Sequence, residues 1–323
     1  MRSNRLDALD AAPGNQVTSG SEDFAMIAID WGTSSFRTYR LDTSGRVLEQ
    51  RHAAAGLLTC GGRFEGVLGE QLEGWDDKVV VMAGMIGSRN GWHEVPYVEA
   101  PAGAAEIAAG MRAFEASALP GRRLFIAPGL CHRPDGAPPE VMRGEETQIV
   151  GLADALADDG PHVVCLPGTH SKWVSVERGC IVAWRTAMTG ELYALLRKHS
   201  LLAALMPADA EQDIDDAEAF ARGLAASETE GGLIHHLFGV RTRGLFGALS
   251  PGQAPAFLSG LLIGHELRGL RPPRATTVHL VGSAGLVQRY ERALSMQGVT
   301  TQRHDETVGA RGMFQLALAA GVA

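Results

Sequence analysis

The sequence predicts an α/β protein of two domains, and three observations carry that reading. At 323 residues the chain exceeds one average hydrophobic core. Short apolar runs bounded by glycine turns alternate with stretches of helical spacing. A strand–turn–strand pattern from Ile27 to Asp42 is echoed in the second half from His162 to Val176. The expected division is an N-terminal extension over 1–23, a first domain over 24–158 and a second over 159–323. The last helix is placed in the second domain, free to pack at the interface.

The bulk properties exclude several classes. Hydrophobic content of 45% with 20% charged residues suits a soluble globular chain. A net charge of −8 argues against nucleic acid as a partner, which would need a basic face. The four cysteines (Cys60, Cys131, Cys165, Cys180) form no C-x-x-C pair, so a zinc ribbon is excluded and a reduced, cytoplasmic location expected. No apolar run reaches membrane-spanning length, so no membrane partner is expected. Residues 1–23 lack the hydrophobic centre of a signal peptide and read as a disordered extension.

In order along the chain, Ile27 to Ile29 is an apolar run ending in Asp30, followed by Trp31-Gly32-Thr33-Ser34-Ser35 and a second, alternating run to Asp42. Gly32 permits close backbone approach, and Thr33 to Ser35 offer hydroxyls and amide donors at the bend. A carboxylate at a strand end, as Asp30 is, can hold a hydrated Mg²⁺ against phosphate oxygens. The same pattern also describes an ordinary Asp-containing hairpin turn. Thr43-Ser44-Gly45 turns the chain into a third strand, Arg46 to His52. Arg63 to Trp75 reads as helix and Lys78 to Ala83 as a buried strand.

The loop from Gly84 to Tyr97, carrying Ser88, Arg89, Trp92, His93 and Glu94, is long for a simple connection. Such loops at strand ends bind ligands or merely cover an aromatic plug. Ala104 to Ala116 reads as an alanine-rich helix and Arg123 to Ala127 as a strand, before an irregular passage from Pro128 to Pro139. From Glu145 to Leu156 the spacing is helical, with Glu145 and Glu146 in the first turn, where negative charge complements the helix dipole. Arg143-Gly144 just before them could bring a cation and the backbone close to a ligand.

The second half repeats the opening: a strand to Leu166, the turn Pro167-Gly168-Thr169-His170, an alternating strand to Val176, and a third from Cys180 to Ala187. Two such hairpins, one per domain, can grip a polyphosphate from both sides. Thr189-Gly190-Glu191 opens a helix to about Ser200. Further helices are expected from Asp213 to Ala226, Gly232 to Phe238 and Ala254 to Leu270. His235-His236 reads as structural, because adjacent residues do not share a helix face. A strand from Thr277 enters the turn Gly282-Ser283-Ala284-Gly285 and a helix from about Leu286; small residues there admit a flat ring or ribose. A strand from Val299 to Arg303 and a helix from Asp305 to Ala320 close the chain.

Hairpin with Asp, hairpin with Gly-Thr, Gly-Ser-Ala before a helix and a small-residue closing helix stand in the order seen in the sugar kinase/Hsp70/actin superfamily. They resemble its phosphate-1, phosphate-2 and adenosine motifs. Five stretches further resemble the 2-dehydro-3-deoxygalactonokinase family: Asp30-Trp31-Gly32-Thr33-Ser34, Ala83 to Ser88, Arg143 to Gln148, Leu166 to Lys172 and Thr189-Gly190-Glu191. The resemblance implies two actin-like (ribonuclease H-like) α/β domains, each a mixed sheet flanked by helices, closing over a cleft. It implies ATP, Mg²⁺ and phosphorylation of the 6-hydroxyl of the sugar acid 2-dehydro-3-deoxy-D-galactonate. Another sugar-acid kinase of this superfamily, such as one for 2-dehydro-3-deoxygluconate, is the alternative; a non-enzymatic nucleotide-binding protein is a further one. A homodimer is left open.

The resemblance also implies roles. Asp30 would hold the metal shell. Gly32, Thr33, Ser34, Gly168 and Thr169 would contact the phosphates, with Lys172 as a charge partner, and Gly282, Ser283 and Ala284 would face the nucleoside. Many relatives place an Asp in the second turn or an Asn-Asp pair at a helix head as catalytic base; here Glu145-Glu146 stands at the helix head, with Glu145 the better counterpart by position. An acid substrate needs donors for its carboxylate. Ser88 and Arg89 are expected to supply them, with Arg37 and Arg143 as alternatives and Trp31 lining the same site.

Overall fold

The computed structural model describes residues 24–158, 160–207, 216–271 and 276–323. The extension expected over 1–23 and the start of the helix expected from Asp213 lie outside them. The first half runs β1 (Phe24–Trp31), β2 (Phe36–Asp42), β3 (Val47–Ala53), α1 (Phe64–Gln71), β4 (Val79–Gly84), β5 (Val98–Glu99), α2 (Ala104–Ala109), β6 (Arg112–Phe114), β7 (Arg123–Ile126), β8 (Leu130–His132), β9 (Glu140–Met142) and α3 (Glu145–Val150). The second runs β10 (Pro161–Leu166), β11 (Ser171–Glu177), β12 (Cys180–Ala187), α4 (Thr189–His199), α5 (Ala217–Ala226), α6 (Gly232–Leu245), α7 (Ala254–Leu270), β13 (Val278–Val281), α8 (Ala284–Met296), β14 (Thr301–His304) and α9 (Val308–Ala319).

The repeat seen in the sequence is a repeat in the sheets. The first has the order β3-β2-β1-β4-β7-β6 and the second β12-β11-β10-β13-β14, with a small sheet β5-β8-β9 beside them. In each large sheet three antiparallel strands come first, and the innermost then pairs in parallel with a later strand: β1 with β4, β10 with β13. Parallel pairing sets the carboxyl end of β1 beside that of β4, Trp31 opposite Gly84. Both glycine-hydroxyl turns therefore open at strand carboxyl ends, where open α/β sheets bind ligands.

Three apolar clusters hold the molecule. One face of the first sheet (Met26, Ala28, Val81) and one face of the second (Val164, Val174, Val281) share a core with Ile149 and with Met313, Phe314 and Leu316 of α9. The other faces pack separately, the first sheet over α1, the second over α5, α7 and α8. The C-terminal helix thus crosses back from the second sheet to lie on the first. Its crossing with α3 is at backbone contact: a Cβ on Gly151 would fall 1.8 Å from the Val308 oxygen, and one on Gly312 1.8 Å from the Thr147 oxygen.

Several expected elements are shorter. The alanine-rich helix stops at Ala109, and Arg112–Phe114 turns back as an edge strand against β7. The helix from Glu145 ends at Val150, where Gly151 meets α9, and resumes only as a short turn of 3₁₀ helix, Ala153–Leu156. Among the described residues no helix is long and apolar enough to cross a membrane, and the four cysteines are free.

Candidate active site

The first turn is tied into one conformation. Gly32 N–H donates to the Ser35 carbonyl at 2.9 Å. The segment 54–58 lies directly beneath: Leu57 N–H and Leu58 N–H donate to the carbonyls of Gly32 and Thr33, both at 3.0 Å. A Cβ on Gly56 would fall 2.4 Å from the Ser34 carbonyl carbon, so no side chain fits there. Thr33 and Ser34 remain exposed. Trp31 is not a substrate contact, contrary to expectation. Its ring is fully buried against Phe36 and Phe64, and its Nε1 donates to the Ala55 carbonyl at 3.0 Å. The indole braces the turn from below; an Asp-Trp-Gly sequence does not reveal which side of the strand carries the ring.

Asp30 ends β1 with its carboxylate a third open to solvent. Arg37, opposite it on β2, donates from Nη1 to Asp30 Oδ2 at 3.3 Å and reaches Glu306 with Nη2 at 3.5 Å. Burial pushes the Asp30 carboxyl above the usual range; Arg37 pulls it back and Glu306 adds to the rise. Behind Asp30, Gly84 (φ 91°) and Gly144 (φ 109°) adopt backbone conformations that L side chains rarely enter. A Cβ on Gly84 would meet Asp30 Oδ1 at 3.4 Å, and one on Gly144 would meet Gly84 Cα at 3.3 Å. These two glycines bring the head of α3 against the end of β1.

The paired carboxylates at that head divide. Glu146 is wholly buried, both its oxygens accept from the Gly144 N–H (2.8 and 2.9 Å), and burial, reinforced by the neighbouring Glu145 charge, pushes its carboxyl up to about 8. Glu145 is half-buried and accepts from the Arg143 N–H at 3.0 Å. Burial raises its carboxyl too; the Lys172 ammonium draws it down and the Asp30 charge adds to the rise. The fold therefore brings Asp30, Glu145 and Lys172 into one electrostatic neighbourhood. Lys172 is turned away from the phosphate turn. Buried, it donates from Nζ to the Val141 carbonyl at 2.9 Å and to Thr186 Oγ1 at 3.0 Å, so two of its three donors are occupied, the first of them across to the first half of the chain.

The second turn is held by α4. Glu191 N–H donates to the Thr169 carbonyl at 2.9 Å, and a Cβ on Gly190 would fall 2.2 Å from the Gly168 oxygen. The head of α4 is in turn fixed by a buried carboxylate. Glu266 accepts from Thr189 Oγ1, from Trp173 Nε1 at 2.6 Å and from the Tyr290 hydroxyl at 2.7 Å. His170 Nε2 meets Glu191 Oε2 at 2.5 Å, beside the exposed Thr169. Gly282 (φ 157°) packs next to this turn, its missing Cβ 3.1 Å from the Pro167 oxygen, leaving Ser283 and Ala284 exposed. A cavity of about 390 Å³ opens from Gly168 and Thr169 along Tyr193 and Lys198 of α4 to Leu286 of α8.

The expected acid-binding residues separate. Arg89 points into solvent, 88% exposed, within 3.8 Å of Glu94 only. Arg37 is committed to Asp30 and Glu306. Arg143 is different: Nη2 donates to the Val95 carbonyl at 2.8 Å, the guanidinium lies over the Tyr97 ring at 4.4 Å, and Nε and Nη1 are buried without a partner among the described residues. Ser88 Oγ is likewise buried and unpartnered, and Gly87, next to it, is so close that a Cβ would fall 2.9 Å from Arg143 Nη1. His170 and the Ser88–Arg143 convergence carry no local signal beyond adjacency to a glycine turn.

For Mg²⁺, the donor set fits a hydrated ion held through few protein oxygens. Asp30 is a hard carboxylate beside exposed hydroxyls, and among the described residues no group of three or more His, Cys, Asp or Glu could form a closed cage. Exposed hydroxyl and amide donors at both turns fit a polyphosphate.

Comparison with known proteins converges on one family. The sequence profile described as 2-keto-3-deoxy-galactonokinase matches residues 30–316. A protein of Rhizobium meliloti (strain 1021) described as a probable 2-dehydro-3-deoxygalactonokinase is 38% identical over 287 residues, covering 86% of this chain and 91% of its own. The 2-dehydro-3-deoxygalactonokinase of Escherichia coli (strain K12) is 39% identical over 277 residues, covering 84% and 90%. A crystal structure of a provisional 2-dehydro-3-deoxygalactonokinase from Sinorhizobium meliloti superposes with a TM-score of 0.77 at 36% identity, over 91% of this chain and 95% of that one. The activator of 2-hydroxyisocaproyl-CoA dehydratase from Clostridium difficile shares the fold at 12% identity, with a TM-score of 0.50 over 92% and 96% of the two chains.

Proposed function

The chain belongs to the 2-keto-3-deoxy-galactonokinase family, and on that premise we propose how its residues divide the work. It is a phosphotransferase that uses ATP to phosphorylate the 6-hydroxyl of 2-dehydro-3-deoxy-D-galactonate, giving the 6-phosphate and ADP. The observation that carries the site reading is the convergence of Asp30, Glu145 and the first glycine-hydroxyl turn at the carboxyl end of β1.

Phosphoryl transfer asks a protein mainly for positioning and charge neutralisation. Thr33 and Ser34 receive the phosphates on one side, where Gly32 shapes the turn, and Gly168 and Thr169 on the other. Gly282, Ser283 and Ala284 line the nucleoside end. Asp30 would hold the Mg²⁺, which when bound neutralises charge on the transferring phosphate. Glu145 takes the proton from the attacking 6-hydroxyl at its Oε, a contribution of roughly 10²–10⁴-fold. Its raised proton affinity suits that task, whereas Glu146, locked on the Gly144 N–H and raised to about 8, is neutral at pH 7 and shapes the helix head.

For the substrate carboxylate, Arg143 and Ser88 replace Arg89. Three buried donor atoms without protein acceptors are costly to maintain, at about 1–3 kcal/mol each, unless a ligand accepts from them. Both groups are closed off from water, so the acid reaches them with movement of the segment between Ser88 and Tyr97. Coupled ADP detection over a panel of hexoses, gluconate and both 2-keto-3-deoxy acids tests the whole reading. Turnover confined to a neutral hexose would overturn it.

A further inference from the structure

Outside the cleft, α6 leaves one face unpartnered among the described residues. Its 14 residues contain no acid, and Ile234 (86% exposed), Phe238 (60%) and Leu245 (61%) fall with Arg241 within one narrow stripe at helical spacings of four, three and four. Phe246, at 86%, lies exposed just past the helix end, next to Leu245. Leu201, at 69%, adjoins it, since Arg241 Nη1 donates to the Leu201 carbonyl at 3.5 Å. The opposite face is satisfied: His236 and Val240 are buried, with His236 Nδ1 2.9 Å from His265 Nε2.

We propose that this stripe is a two-fold interface between two copies of this chain, with α6 packed antiparallel on its counterpart. Two features select a second copy over another protein. The first is register. An antiparallel two-fold centred between Gly239 and Val240 sets Ile234 against the partner copy's Leu245 position and Phe238 against its Arg241 position. Aliphatic then meets aliphatic, and guanidinium meets ring, twice over. A surface that complements itself in this way requires no other protein.

The second is area. At about 200 Å² for a whole phenylalanine, the exposed parts of Phe238 and Phe246 alone offer roughly 300 Å². With Ile234, Leu245 and Leu201 the patch surpasses the roughly 300–600 Å² at which monomers stop and approaches the ~800 Å² per partner of a standard interface. Antiparallel helices also set opposite dipole ends together.

Light scattering on the purified chain tests this, together with the Phe238→Asp variant. The wild type is expected to be dimeric at micromolar concentration. Phe238→Asp is expected to weaken the dimer about 30-fold or more, with its circular dichroism spectrum and ATP binding unchanged. Register is tested separately. The Ile234→Cys, Leu245→Cys double variant is expected to give a covalent dimer with a short thiol cross-linker, and Ile234→Cys alone is not. A monomeric wild type, a dimer indifferent to Phe238→Asp, or equal cross-linking of the single variant would overturn the proposal.

Discussion

His170 Nε2 stands 2.5 Å from Glu191 Oε2, joining the phosphate-binding turn after β10 to the head of α4. That contact fixes the ring beside the exposed Thr169. Lys172 is turned inward, so His170 is the nitrogen side chain of this turn that can donate a hydrogen bond to a nucleotide phosphate. His170→Asn is expected to raise KM for ATP about tenfold, the equivalent of one hydrogen bond. KM for the sugar acid should stay put, and His170→Lys should restore part of the loss. Equal shifts in both KM values would point instead to a collapsed turn.

Asp30→Asn keeps the shape and hydrogen-bonding capacity of the residue but loses the charge opposite Arg37. It is expected to lower kcat by about 100-fold or more, with the circular dichroism spectrum unchanged. Normal turnover in the folded variant would remove Asp30 from the metal shell.

Glu145→Gln and Glu146→Gln should behave differently. The first is expected to abolish turnover while ATP binding, read by calorimetry, survives, because a base acts on the acceptor hydroxyl. The second should be mild in activity but revealing in stability. With its carboxyl raised to about 8 in the fold against 4.5 for a free one, Glu146 binds a proton more tightly in the native state. Wild-type stability therefore falls as pH rises through that window, by on the order of 1 kcal/mol per pH unit. Glu146→Gln lacks that loss, so its melting temperature should gain on the wild type between pH 5 and pH 8. A gap that stays constant with pH would mean that Glu146 is not held neutral.

Arg143→Lys should raise KM for the keto-acid about tenfold or more, because an ammonium cannot reproduce the planar fork or the stacking on Tyr97. Arg89→Lys, in solvent, should change nothing. Steady-state kinetics on both variants decides: an effect at Arg89 without one at Arg143 reverses the assignment.

What the sequence revealed was local. Glycine-hydroxyl turns and strand alternation are written in consecutive residues, so both hairpins, the Gly282 turn and the carboxylate pair at the head of α3 were legible. What it concealed depends on distance or on side. Gly87, next to Ser88, and Arg143 are far apart in sequence, and a Cβ on the first would fall 2.9 Å from Nη1 of the second because β4 and the head of α3 pack through Gly84 and Gly144. Arg89 seemed suited by adjacency, yet its neighbour's hydroxyl turns inward while it turns out. Trp31 carries a polar N–H on a large apolar ring, and either property could have prevailed. The alanine-rich run after Gly103 had the propensity for a longer helix, but Phe114 is drawn into pairing with Leu124.

The return of α9 to the first sheet bears on how the chain comes into being. Met313, Phe314, Leu316 and Ala317 complete a core begun by Met26 and Ala28, Phe314 presses on Gly45, and the Val322 carbonyl accepts from Arg123 at 2.8 Å. On the ribosome the first sheet therefore waits, one face uncovered, until α9 has been made. Such long sequence separations slow folding and leave apolar strands open to mispairing. A nascent chain stalled before α9 should show little amide protection in β1, β2 and β4. Full protection in those strands would mean that the first half matures independently of the end of the chain. A mutation at Gly312 or Gly151 should accordingly lower the yield of folded protein through the first sheet, which is made well before the helix that covers it.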